Sequence, residues 1–220
     1  MTNVAVATSS PLAAEAAREV AAAGGNAVDC ALAAALLAIN TEPGVCALAG
    51  SAYITVWPAN GDPVTIDGNA AVPGAGLSRA ERGHGAESVS MEYGGGIETL
   101  VGPGSVAIPG TLAAIEHAWR RYGVTSWQAI FSPTIRATRD GFPLSSACHY
   151  YLGYSGDSIY GRSKEGFDAL HLPDGTLRDI KAAIVIPGLS DTLDAIAEEG
   201  ADLFYRGELA ATLARHCRDG

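Results

Sequence analysis

Apolar and small polar residues alternate through residues 3–8, a period that predicts a strand. From residue 12 to 23 the pattern changes to an alanine-rich helical run. Ser10 and Pro11 stand where a helix start needs a side-chain acceptor and a residue without an amide. Gly24-Gly25-Asn26 then reads as a stop and restart, in which Gly25 or Asn26 takes a positive φ and Asn26 caps the next helix. Residues 28–39 are apolar on nearly every side, so that helix has to be buried over most of its surface. Residues 52–57 and 63–67 read as two strands joined around Asn60-Gly61, a hairpin signal. Residues 68–104 are glycine-rich and weakly periodic, including Gly94-Gly95-Gly96, and predict a long loop. Helical patterns return at 111–122, 127–140, 189–199 and 208–217, whereas 146–172 carries tyrosines and glycines without a clear period. Two helices, a hairpin and then many helices predict an α+β arrangement, with helices over one face of an antiparallel sheet.

Composition narrows the functional classes. The 220 residues, 48% of them hydrophobic, suffice for one packed domain, 1–220. A net charge of −10 opposes nucleic acid and anionic membrane as partners, because nothing would neutralise their phosphates. The most apolar run, residues 30–39, is too short to span a bilayer. Met1-Thr2-Asn3 leads into the first strand without a basic or apolar leader, and a cytoplasmic location is the expectation. The four cysteines, Cys30, Cys46, Cys148 and Cys217, lack Cys-x-x-Cys spacing, and Cys30 reads as a small buried hydrophobe. His84, His117, His149, His171 and His216 lie far apart without metal-ligand spacing. Gly74-Ala75-Gly76-Leu77-Ser78-Arg79 lacks the third glycine and the strand–helix setting of a dinucleotide site. There is no phosphate-binding Gly-Lys-Ser/Thr and no Gly-x-Ser-x-Gly elbow. No cofactor and no metal is expected.

A series of short strings in order carries a more specific message. They are Val6-Ala7-Thr8-Ser9-Ser10-Pro11, Gly24-Gly25-Asn26-Ala27-Val28-Asp29, Glu42-Pro43, Gly50-Ser51-Ala52-Tyr53-Ile54 and Ile66-Asp67. After Pro73 come Val106-Ala107-Ile108-Pro109-Gly110-Thr111, Arg121-Tyr122-Gly123, Ala137-Thr138-Arg139-Asp140-Gly141-Phe142 and Leu203-Phe204-Tyr205-Arg206-Gly207. Their order and spacing resemble the N-terminal part of the large subunit of the γ-glutamyltransferase family. The resemblance implies an N-terminal-nucleophile fold: a four-layer αββα sandwich whose stacked antiparallel sheets are built from both subunits of a self-cleaved precursor. It also implies a partner small subunit that begins with the nucleophilic threonine, a heterodimer that can itself pair, and a small amide or γ-glutamyl-like substrate.

By that resemblance the chemistry is acyl transfer or amide hydrolysis, with the threonine α-amine as base and backbone or side-chain donors on the oxyanion. No catalytic residue is expected within this chain. γ-Glutamyl relatives grip the substrate α-carboxylate with an arginine placed after the aspartate that ends the second hairpin strand. A gapless reading from Pro43 to Pro73 puts Asn69 there. Asparagine offers neither the charge nor the planar fork, a loss typically of about 1.5–3 kcal/mol, or one to two powers of ten in binding. Asn69 is therefore the candidate substrate-binding residue, oriented to an amide or carbonyl of another acyl group. Restoration of the charge by Arg79 or Arg82, and a plain Asx-turn at Asn69, remain open. Ala49 and Ser51, where relatives carry glycines, narrow any backbone approach or reflect packing alone. Asp62 and Asp67 read as turn acceptors. Thr2 would become an N-terminal threonine on loss of Met1, but the family places its nucleophile in the other subunit. A non-catalytic homologue that binds or assembles is the second functional class.

Overall fold

Helix α1 (Pro11–Ala22) starts as its sequence predicts, with the Ala13 amide donating to Ser10 Oγ at 3.2 Å. The structure, a computed structural model, describes residues 3–78, 80 and 85–219. Residues 3–8, predicted as a strand, have no pairing partner among the described residues, since alternation sets a side-chain pattern but supplies no neighbouring strand.

The turn into α2 (Ala27–Thr41) departs from expectation at one atom and exceeds it at others. Gly24, not Gly25 or Asn26, takes the positive φ, +96°. Gly25 serves closeness instead: a Cβ there would lie 2.6 Å from Val20 Cγ1 and 2.9 Å from the Val20 carbonyl oxygen. Asn26 Oδ1 accepts the amides of Val28 and Asp29 at 2.9 and 3.0 Å, and its Nδ2 donates to the Tyr122 carbonyl at 2.7 Å. The fully buried Asp29 carboxylate accepts the Asn26 amide at 3.0 Å and the Val124 amide at 3.1 and 3.2 Å. What reads locally as a helix restart is also a staple to a segment about 95 residues on.

That segment follows α3 (Thr111–Tyr122) and leads to α4 (Trp127–Asp140). Side chains of α1, α2, α3, α4, α7 (Leu189–Glu199) and α8 (Asp202–Tyr205) share one core, with Leu36, Leu112, Ile130, Phe131, Leu193 and Ile196 at 0% exposure. Trp127 is locked into it, its Nε1 donating to the Ile196 carbonyl at 3.0 Å. A satellite core holds Phe142, Leu144, Cys148, Leu152, Leu170 and Ile184. It is built from α5 (Ser146–Ser155), α6 (Lys164–Leu170) and the short pair β5 (Phe142–Pro143) with β6 (Ala183–Ile184). The stretch without a clear period thus contains two helices, and their shortness explains the missing pattern. Helix α9 (Glu208–Asp219) closes the described chain.

The hairpin forms as predicted: β1 (Ala52–Val56) and β2 (Val64–Gly68) pair antiparallel from Ala52↔Gly68 to Val56↔Val64. Ile54 and Ile66 turn to the core and α3, while Tyr53 and, beyond the strand, Trp57 stand 63% and 76% exposed. The predicted loop of 68–104 contains a second hairpin, β3 (Glu87–Met91) with β4 (Ile97–Val101). Gly94, Gly95 and Gly96 make its turn at positive φ, a use of glycine that a loop reading misses. The chain is therefore α+β. Among the described residues the strands form three separate two-stranded pairs, and the expected sandwich of stacked sheets is not closed by them.

Candidate functional site

Where β2 ends, the backbone runs against the start of α3 with no side chain between. A Cβ on Gly68 would lie 2.5 Å from Ala114 Cβ and 2.9 Å from the Ala52 and Gly110 carbonyls. One on Gly110 would lie 2.3 Å from the Gly68 oxygen and 2.6 Å from the Asn69 oxygen. Only glycine fits at either place. The first amides of α3 are satisfied from afar: Gly110 and Thr111 donate to the Gly50 carbonyl at 3.1 and 3.2 Å, and Ala113 donates to the Tyr205 hydroxyl at 3.0 Å. Just beyond, Ala71 and Ile108 exchange both backbone bonds at 2.9 and 2.8 Å.

Asn69 sits on the shelf so formed, exposed to solvent. Its amide donates to Asp67 Oδ1 at 2.9 Å, the Asx-turn expected of that aspartate. The Ala70 amide is shared by Ser51 Oγ and Asn69 Oδ1, both at 2.9 Å. Asn69 Nδ2 has no partner among the described residues. The arrangement presents a neutral amide donor on a fixed backbone, beside the exposed carboxylate of Asp67. Such a donor suits a carbonyl or amide oxygen better than a carboxylate. Arg79 and Arg82, along with Thr2 and His84, lie outside the described residues.

The site holds two residues that sequence reasoning does not single out. Ser51 reads in the sequence only as a replaced glycine, yet its hydroxyl anchors the turn after Asn69. Tyr205 has no signal beyond its place in a matched string, because the partner of its hydroxyl is a backbone amide. His117 is exposed on α3, and all four cysteines are free thiols. Burial, then Glu42 and Cys148, push the Cys46 thiol up to about 11, and burial also raises Cys30 and Cys148, which keeps these thiols protonated and poor nucleophiles. No group of three or more His, Cys, Asp or Glu that could hold a metal occurs among the described residues. A groove of about 340 Å³ lies between residues 4–9 and the Ala31, Ala34, Ala35 and Ala38 face of α2, away from Asn69.

Fold and site together define an α+β scaffold with an exposed asparagine shelf at the end of a hairpin. Its sequence matches the profile of the gamma-glutamyltranspeptidase family over residues 13–220, and the chain belongs to that family. It is 29% identical over 193 residues to glutathione hydrolase proenzyme 1 of Schizosaccharomyces pombe, covering 88% of this chain and 29% of that protein. It therefore spans under a third of that relative's length. The gamma-glutamyltranspeptidase of Pseudomonas nitroreducens, solved with L-DON, superposes with a TM-score of 0.79 at 27% identity, covering 100% of this chain and 62% of that one. A cephalosporin acylase from Bacillus halodurans superposes with a TM-score of 0.77, also at 27% identity, covering 95% and 38%.

Proposed function

We propose that this chain is the large-subunit part of an amidohydrolase or acylase of the γ-glutamyltranspeptidase family. A partner small subunit supplies an N-terminal threonine, whose hydroxyl attacks the amide carbon while its own α-amine takes the proton. Collapse of the tetrahedral intermediate expels the amine and leaves an acyl ester, which water or another amine then resolves. The chain contributes scaffold and one wall of the acyl pocket. The family match over residues 13–220 is the observation that carries this reading. The open outer face of β1–β2, with Tyr53 and Trp57 exposed, and the unpaired strand-like residues 3–8 support a partner that completes a four-layer sandwich. Such heterodimers can pair again, and the expected compartment is the cytoplasm.

The substrate is a small amide whose acyl head group is neutral, since Asn69 stands where a carboxylate-binding arginine is expected. The same replacement favours the second reading, a non-catalytic homologue that binds or assembles. Intact-mass measurement and N-terminal sequencing of whatever co-purifies with the chain separate the two. A stoichiometric second chain beginning with threonine supports the enzyme. A chain that purifies alone, folded and without amidase activity overturns it.

A further inference from the structure

We propose that Tyr205 is a positioning residue for the Asn69 shelf, acting through the first turn of α3; the consequence for substrate rests on Asn69 being substrate-facing. The first amides of an α-helix have no partner within it, so whatever accepts them sets where the helix begins. In α3 two acceptors do this. The Gly50 carbonyl takes Gly110 and Thr111 from the β1 side, and the Tyr205 hydroxyl takes Ala113 at 3.0 Å from a residue 92 positions further along the chain.

Tyr205 is itself held firmly. Its ring packs edge-on against the mostly buried Phe204 at 5.2 Å, and the Arg206 and Gly207 amides both return to the Asp202 carbonyl at 2.8 and 3.0 Å. A Cβ on Gly207 would lie 2.9 Å from Leu203 Cα, so that turn closes only with glycine. Burial, reinforced by Glu116, raises the Tyr205 phenol and keeps the hydroxyl neutral at ordinary pH.

The connection from α3 to Asn69 has no slack. Gly110 meets the carbonyls of Gly68 and Asn69 backbone to backbone, with no side chain whose rotamer could absorb a shift. The Ala71–Ile108 bonds hold the far side of the same turn. A displacement of the α3 start therefore moves Asn69, and with it the amide offered to an acyl group. A head group bound through Asn69 is thus governed by a phenol that does not touch it.

The test is Tyr205→Phe, which removes one oxygen and keeps the ring. Ser126→Ala is the control, because it deletes the side-chain cap of α4, at 3.2 Å from the Ala129 amide, elsewhere in the fold. In the purified protein, hydrogen exchange at Ala113 and the ¹⁵N resonances of the Asn69 side chain and Ala70 are followed for both variants. Tyr205→Phe is expected to speed exchange at Ala113 and shift the Asn69 and Ala70 signals, whereas Ser126→Ala leaves them in place. In the chain assembled with its partner small subunit, against a panel of acyl p-nitroanilides, Tyr205→Phe is expected to raise KM about fivefold with kcat within twofold, the scale of one lost cap. Unshifted Asn69 and Ala70 resonances in Tyr205→Phe, or equal changes in both variants, overturn the proposal. Shifted resonances with no anilide hydrolysed even by the unaltered chain assembled with its partner small subunit leave the coupling standing and overturn the enzymatic reading instead.

Discussion

Two asparagine–aspartate pairs in this chain share chemistry and differ in everything else. Asn26 and Asp29 lie between helices, and each polar atom in their network faces a donor or acceptor fixed by the fold. Asn69 and Asp67 lie at the end of a strand, exposed, with the backbone tied down and the Asn69 Nδ2 left over. The first pair is committed to stability, because a buried carboxylate without its amide partners is costly. The second is free to bind, because its side-chain donor is not consumed by the fold. Position, not residue type, decides which side-chain donor the fold leaves over.

Breaking the first pair has the largest expected effect. Asp29→Ala leaves the Asn26 and Val124 amides unpaired and opens a gap in the core, destabilising the chain by about 3 kcal/mol. Urea denaturation shows this as a lower midpoint with an unchanged slope. Sharpening the second pair comes next. Asn69→Arg introduces a charged fork at the shelf and raises the kcat/KM ratio of γ-glutamyl over butanoyl p-nitroanilide by about 10- to 100-fold. An unchanged ratio would remove Asn69 from the acyl pocket.

A smaller effect lies on the scaffold side of the contrast, in a thiol whose titration is shifted mainly by burial. Cys46 stays protonated to about pH 11 when folded, whereas an unfolded thiol titrates near 8.5. Between those values the folded state holds more protons, so this group's contribution to stability is intact below the unfolded pKa and is lost as pH rises toward 11. Cys46→Ala is expected to flatten the decline in denaturation midpoint over that window. The smallest effect is that of Asn69→Ala on stability, within about 0.5 kcal/mol by the same urea assay, since no other element leans on that side chain.

Much of the fold is legible in the residues themselves. Helices α1 to α4, α7 and α9 and the β1–β2 hairpin follow from period, caps and turn residues. What escapes depends on partners distant in sequence. Residues 3–8 alternate like a strand but have no neighbour to pair with among the described residues. Glu87–Met91 and Ile97–Val101 lie in a glycine-rich stretch, and their glycine turn looks like loop composition. The position of Asn69 is legible, because a hairpin and its terminal aspartate locate it. The roles of Ser51 and Tyr205 are not, since each side chain meets a backbone amide, and amides carry no residue identity.

The exposed face of β1–β2 also turns the protein into its own gauge. Of its three tryptophans, Trp57 stands 76% exposed on that face, while Trp119 and Trp127 lie 5.2 Å apart over the core. With Trp119 and Trp127 replaced by phenylalanine, the remaining indole emits as a solvated chromophore and shifts to the blue only when something lies across the hairpin. Light alone then reports whether the outer face is covered, with no label attached and no substrate known.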